Sequence, residues 1–199
     1  MKTKFLALAA LCRYLLLGCI ALICGAGCAG SIKEFYPDSY FEADRVYLNR
    51  PLRFSLTFRG NWRLFTDPNE MEEGARTFFR ELQKNGAELL FVGATPEGTQ
   101  AVRAIAINLN LPQRDYAERI RALNRKSIAK DLGLTEMHIN GRVMTRWDYV
   151  SHGARFAEFF FALDTYNIRI AFWSTPTVFE RFYPVYLDII STLDFVSRY

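Results

Sequence analysis

The stretch that decides the fold is MHINGRVMTRWDYVSHGARFAEFFFALDTYNIRIAFWS, residues 137–174. Its Asn-Gly pair at 140–141 is a strong short-range signal for a β-hairpin, because a two-residue turn of this type needs positive φ at both positions. The pair predicts a hairpin over residues 137–150. Aromatic and β-branched residues then predict strands at 156–163 and 168–174. We therefore expect four strands in adjacent hairpins, which makes them antiparallel.

Elements on either side of this stretch follow from residue period and from helix caps. LRFSLTF, residues 52–58, alternates apolar and polar side chains, which predicts a half-buried strand. Asp67 and Pro68 are typical of a helix start and predict a helix over 68–85. The other predicted elements are strands at 89–92 and 101–111 and helices at 114–132 and 176–195. Strands and helices do not alternate regularly, so the sequence predicts an α+β fold, an antiparallel sheet packed against helices in a single domain.

The N-terminus has the pattern of a secretory signal. Lys2, Lys4 and Arg13 precede or flank an apolar run at residues 14–24, and small residues follow it. We expect a signal peptide at 1–27. The remaining chain divides into a tether and lead-in at 28–51 and a globular domain at 52–199.

Gly25-Ala26-Gly27 directly before Cys28 resembles a bacterial lipoprotein signal. That resemblance implies that Cys28 becomes the first mature residue and carries acyl chains such as palmitate. Since Ala29 is not Asp, it also implies the outer membrane, facing the periplasm. Three alternatives stay open: acylation of Cys19 instead, an ordinary cleaved signal, and an uncleaved anchor over residues 5–23. A charge in mid-segment, Arg13, counts against the anchor.

Composition excludes several classes of function. The formal net charge is +4, but without residues 1–27 the chain has 22 basic and 21 acidic side chains. A nucleic-acid-binding domain would keep a positive charge, so we expect no nucleic-acid partner. All four cysteines lie within residues 1–28. We therefore expect no disulfide framework, no cysteine nucleophile, no metal and no cofactor in the globular part.

The layout of the chain resembles the PsbP-like and DcrB-like domains. The residues that carry this resemblance are FSLTF at 54–58 followed by Gly-Asn-Trp at 60–62, Asn-Gly at 140–141 leading into the next strand, and STLDF at 191–195. It covers about residues 52–196. The sequence departs from the family in having Phe-Arg before the Gly-Trp turn and an extra early helix at 68–85. The resemblance implies an exported module that assists assemblies and does not catalyse a reaction.

Two histidines offer the only plausible catalytic base. A hydrolase would need His138, or His152 with Ser151 and Asp148, but sequence neighbours rarely form a catalytic triad, and the sequence has no nucleophile elbow. We assign no catalytic residue and expect the protein not to be an enzyme.

The predicted helix 114–132 is rich in basic residues. Those that could contact an anionic surface are Arg119, Arg121, Arg125, Lys126 and Lys130. The alternative is a solvated helix face with internal ion pairs.

Phe159, Phe160 and Phe161 are consecutive, so both faces of their strand are apolar, and the second face needs cover from a helix or a partner. With the leader, this favours a lipid-anchored envelope protein that docks onto an envelope protein as a binding or assembly module. The alternative is a carrier of a small apolar ligand or lipid.

Overall fold

In the computed structural model, the residues described are 40–71 and 73–195. The strands are β1 (Tyr40–Phe41), β2 (Val46–Asn49), β3 (Phe54–Thr57), β4 (Arg63–Phe65), β5 (Ala87–Ala94), β6 (Gln100–Asn108), β7 (Ile128–Ile139), β8 (Arg142–Ser151), β9 (Ala154–Leu163), β10 (Tyr166–Ser174) and β11 (Asp194–Phe195). The helices are α1 (Glu73–Lys84), α2 (Gln113–Asn124) and α3 (Pro176–Ser191).

Two antiparallel sheets organise the chain. The large sheet has the spatial order β4-β5-β6-β10-β9-β8-β7, and the small sheet has the order β1-β2-β3-β11. The Asn-Gly hairpin is confirmed, with φ values of 47° at Asn140 and 76° at Gly141. The antiparallel meander from β7 to β10 and the α+β class are confirmed as well.

The inner face of the large sheet packs against the small sheet and α3. Phe161 on β9 contacts Phe54 on β3 with ring centroids 5.8 Å apart. Phe172 on β10 stacks on Tyr186 of α3 at 5.0 Å. The four side chains are almost completely buried. This interior is the main apolar core.

The outer face of the large sheet is covered by α1 and α2 in separate places. Phe79 and Leu82 of α1 pack with Leu89 on β5. On α2, Tyr116 lies against Phe160 with ring centroids 5.5 Å apart. The second apolar face of β9 is therefore covered by the chain's own helix. Of the two covers expected from the sequence, a helix or a partner, the structure shows the helix, so the apolar strand gives no separate reason to expect a partner.

The predicted helix 114–132 is wrong in its second half. The helix ends at Asn124, a turn follows, and residues 128–139 are strand β7. Strand pairing with β8 overrides the helical spacing of Ile128 and Leu132. Gly133 does not end a helix; it adjoins a β-bulge, with φ of 97°.

Three other boundaries differ from the sequence prediction. Residues 40–49, predicted as lead-in, form two strands of the small sheet, with Tyr47 buried. The last helix ends at Ser191, and residues 194–195 pair with β3. The early helix begins with a separate 3-10 turn, Pro68–Glu70, capped by the Asp67 side chain. Cys19, Cys28 and the leader lie outside the described residues.

Candidate functional site

The five basic residues singled out in the sequence lie on one helix, the turn after it and the strand that follows. Arg119 and Arg121 lie on α2, Arg125 and Lys126 lie in the turn after it, and Lys130 lies on β7. We call these five residues the basic surface. They are exposed or half-buried because α2 turns Tyr116, Ala117 and Ile120 towards the sheet and its polar side chains outwards. The sequence placed all five on one helix, which is wrong for Arg125, Lys126 and Lys130 because the helix ends at Asn124.

A hollow of about 470 Å³ lies between α2 and β7, beside Arg121 and Arg125 of the basic surface. Its lining residues are Glu118, Arg121, Ala122, Arg125, Ile128 and Asp131. Charged groups of both signs surround a small apolar floor. The hollow therefore suits a polar group and not a buried apolar ligand.

Arg121 is the one member of the basic surface whose charge is compensated. Its Nε donates to Asp131 Oδ2 at 2.6 Å, and its Nη1 donates to Glu118 Oε2 at 3.3 Å. Asp131 also accepts hydrogen bonds from Trp147 Nε1 and from the Gly133 amide. Burial acts to raise the pKa of Asp131, but these hydrogen bonds outweigh it and lower that pKa. Arg121 therefore joins α2 to β7, a role that the sequence did not indicate.

The other four basic side chains are exposed. Among the described residues, Arg119, Arg125, Lys126 and Lys130 form no ion pair. Arg125 and Lys126 follow the C-terminus of α2, where the helix dipole favours positive charge. Of the five, only Arg121 forms the internal ion pairs of the solvated-face alternative, and the other four cations are exposed to solvent.

Leu132 lies beside the basic surface on β7. It is 41% exposed, and within residues 40–71 and 73–195 only one other large apolar side chain, Phe41, is exposed. Strand β7 is an edge of the large sheet, and its pairing with β8 is interrupted at residues 128–130 and 131–133. Such bulges hinder a second strand from adding to the edge.

The histidines lie apart from this surface. His138 is exposed on β7, and His152 lies in the turn between β8 and β9. Ser151 Oγ lies 2.8 Å from His152 Nδ1 and also donates to the Ser127 carbonyl. Asp148 accepts from Arg146 Nε at 2.7 Å and points to the opposite face of β8 from Ser151. The structure does not bring these three residues together as a triad.

The outer face also contains a buried charged cluster that the sequence interpretation missed. Glu158 on β9 accepts from Arg169 Nη1 at 3.2 Å and from the Tyr149 hydroxyl at 3.0 Å. Burial, together with the negative charge of Glu158, raises the pKa of Tyr149 well above its usual value. The sequence signal for this cluster was Glu158 itself, a charged residue between apolar residues of one strand. Since Glu158 and Arg169 are 1% and 2% exposed, the cluster lies inside the fold and does not form an open site.

In the described part of the chain, no group of three or more potential metal ligands lies together, and no helix is long and apolar enough to cross a bilayer. No protein-family model and no curated protein matches the sequence.

Solved structures do match. Cyanobacterial PsbP (CyanoP) from Synechocystis sp. PCC 6803 superposes with a TM-score of 0.53 at 9% identity, over 75% of this chain and 91% of that chain. The fold is PsbP-like. A protein of unknown function, PA94 from Pseudomonas aeruginosa, gives a TM-score of 0.40 at 16% identity, over 50% and 74% of the two chains. A protein from Bacteroides thetaiotaomicron VPI-5482 gives a TM-score of 0.45 at 13% identity, over 77% of this chain and 49% of that chain. The PsbP-like fold predicted from the sequence is confirmed.

Proposed function

We propose that this protein is a lipid-anchored envelope protein that acts as a non-catalytic binding module, with the basic surface as its binding face. One observation carries this proposal: four exposed cations, Arg119, Arg125, Lys126 and Lys130, form no ion pair with the described residues, and one of them, Arg125, lines an open hollow. The favoured partner is an anionic surface of phospholipid headgroups. Support for the anchor comes from the sequence alone, Gly-Ala-Gly before Cys28.

The strength of such a contact can be bounded. A basic side chain near an anionic membrane contributes about 1 kcal/mol, so four contribute about 4 kcal/mol. That corresponds to a dissociation constant of about 1 mM. Binding this weak is effective only when the protein is held close to its target. An acyl anchor at Cys28 would confine the protein to the envelope, where anionic membrane surfaces lie nearby, and this connects the two halves of the proposal.

The anchor is tested by incorporation of radiolabelled palmitate in cells. We expect the native chain to incorporate the label and Cys28→Ser to lose it, while Cys19→Ser keeps it. If Cys19→Ser loses the label and Cys28→Ser keeps it, the acyl chains are attached to Cys19 instead. Absence of label in the native chain would remove the anchor from the proposal.

Binding is tested with an environment-sensitive dye at Ala129→Cys, an exposed position on β7. The full-length protein is reconstituted in phosphatidylcholine vesicles that contain phosphatidylglycerol, and vesicles of the same composition are added. We expect a blue shift that is lost at about 1 M salt, where the screening length falls to about 3 Å. The same sample without phosphatidylglycerol should show no shift.

Charge variants identify the surface responsible. The triple variant Arg125→Glu, Lys126→Glu, Lys130→Glu should abolish the shift. The matched control, Arg50→Glu, Arg63→Glu, Arg181→Glu, changes the net charge equally at exposed residues elsewhere and should retain it. If the two triple variants behave alike, the basic surface is not the binding face. Binding of an acidic envelope protein without any effect of phosphatidylglycerol would replace the lipid with a protein partner.

A further inference from the structure

The basic surface and the N-terminal end of the described chain lie at opposite ends of the molecule. Tyr40 on β1 packs on Phe58, and Phe58 packs on Phe91 of β5, with ring centroids 6.4 and 5.6 Å apart. The chain therefore enters the domain on the inner side, above the second strand of the large sheet. The basic surface lies beside β7, the last strand of that sheet, and α2 covers the outer face.

The separation follows from standard spacings. Five strand spacings divide β5 from β7, which is about 24 Å across the sheet. The small sheet on one side and the helix layer on the other add about 20 Å through the domain. The diagonal from Tyr40 to the basic surface is therefore about 30 Å.

The segment between Cys28 and β1 limits which orientations are accessible. Residues 29–39 are eleven residues, and whatever their conformation they span at most about 38 Å. If the basic surface lay on the membrane that holds the acyl chains, Tyr40 would stand up to about 30 Å above that membrane. The segment would then be stretched to as much as about four-fifths of its maximum length, at a cost in chain entropy. With Tyr40 next to the membrane, no stretching is needed.

The exposed apolar residues agree with this orientation. Phe41, 38% exposed, is adjacent to Tyr40 on β1, and Leu132, 41% exposed, is adjacent to the basic surface on β7. Each end of the molecule thus has one large apolar side chain in solvent. A single face that contacted one membrane would place both on the same side.

From these positions we infer that the basic surface binds an anionic phospholipid bilayer other than the one in which Cys28 is anchored, so that the protein bridges two membrane surfaces. This inference rests on the proposed function for the anchor and for the anionic partner. It adds the direction in which the binding face points. The domain stands on its β1 end, and α2 and β7 face outward from the host membrane.

The experiment separates binding to the host membrane from binding to a second one. The acylated full-length protein is reconstituted in one set of vesicles, and a second, differently labelled set is added. Phosphatidylglycerol is placed in the host vesicles only, in the added vesicles only, or in neither, with phosphatidylcholine as the remainder. Capture of added vesicles is measured by fluorescence cross-correlation, and contact is measured with the dye at Ala129→Cys.

We expect capture and a dye shift only when phosphatidylglycerol is in the added vesicles. The triple variant Arg125→Glu, Lys126→Glu, Lys130→Glu should reduce capture by about a hundredfold or more, since three favourable charges become unfavourable. The matched variant Arg50→Glu, Arg63→Glu, Arg181→Glu should capture as well as the native chain.

Three results would overturn the inference. A dye shift only with phosphatidylglycerol in the host vesicles would show binding to the anchoring membrane, and the proposed function would survive. No shift in any arrangement would remove the proposed anionic partner and the inference together. Capture that survives the triple variant would assign the bridging to another surface.

Discussion

The two faces of the large sheet are closed by different kinds of interaction. On the inner face, one continuous cluster of aromatic and aliphatic side chains meets the small sheet and α3. On the outer face, α1 and α2 cover separate apolar clusters, and the charged pair Glu158 and Arg169 is buried in the sheet. Apolar burial tolerates exchanges of similar volume, whereas a buried ion pair leaves an uncompensated charge when either partner is lost. The inner face should therefore tolerate substitution better than the outer face.

The largest effect is expected at the buried pair. Glu158→Ala leaves the Arg169 guanidinium, 2% exposed, without its carboxylate, and should lower the free energy of unfolding by about 3–5 kcal/mol. Urea denaturation measures this. The double variant Glu158→Leu, Arg169→Leu removes both charges and should recover most of the loss. If the double variant is as unstable as Glu158→Ala, the uncompensated charge of Arg169 is not the cause of the lost stability.

Ile170 provides the matched test on the inner face, because it is adjacent to Arg169 on the same strand and is completely buried. Ile170→Leu conserves volume and should cost less than about 1.5 kcal/mol in the same denaturation measurement. Arg169→Leu alone should cost about 3–5 kcal/mol. If these two single variants lose the same free energy of unfolding, the two faces do not differ in their tolerance of substitution.

A smaller effect is expected on the helix that covers the outer face. Glu118→Gln removes one of the two carboxylates that compensate Arg121. The local charge rises by one, which should strengthen binding to phosphatidylglycerol vesicles about fivefold, equivalent to about 1 kcal/mol. Asp44→Asn makes the same change of charge at an exposed residue before β2 and should leave binding unchanged. Vesicle titration of the dye-labelled protein measures both.

The smallest effect concerns Glu88, a partly buried charged group at the margin of the inner face. Glu88 pairs with Ala106, whose side chain belongs to the inner cluster. Burial raises the pKa of Glu88 from 4.5 to about 7. Because the folded state binds this proton more tightly than the unfolded chain, stability from this group is present below about pH 4.5 and falls as pH rises to about 7.

Glu88→Gln should remove that part of the pH dependence. Denaturation midpoints of the native chain and the variant, compared across this pH window, should diverge as pH rises, with the variant the more stable. The difference is reduced because Glu88 is partly exposed. Parallel pH profiles for the two proteins would exclude Glu88 as the source of this pH dependence.

The elements that sequence predicted best are those whose local chemistry agrees with the tertiary structure. Asn140-Gly141 adopts the turn that its residues favour, and Asp67 accepts a hydrogen bond from the Asn69 amide, as a cap should. The prediction for residues 128–132 was wrong because their spacing fits a helix as well as a strand, and only the pairing with β8 decides between the two. That pairing cannot be predicted from residues 128–132 alone.

The small sheet and the charge compensation at the basic surface were missed for a related reason. In β2 the buried positions are Tyr47 and Asn49, and a polar Asn at an inward position hides the alternation. Its amide donates to the Tyr47 hydroxyl at 2.9 Å, a contact invisible in sequence. The neutralisation of Arg121 could not be predicted because it depends on Asp131, which lies ten residues further along and, in the structure, on a strand instead of the predicted helix.

The small sheet contains both ends of the described chain, since β3 pairs with β2 on one side and with β11 on the other. The Thr192 hydroxyl, near the last strand, accepts a hydrogen bond from the Thr57 amide. During synthesis from the N-terminus, residues 40–57 are made long before residues 192–195. The inner face of the large sheet therefore stays incompletely covered until residues 192–195 are made. Completion of the small sheet depends on these residues, so no segment made earlier can cover the inner face by itself.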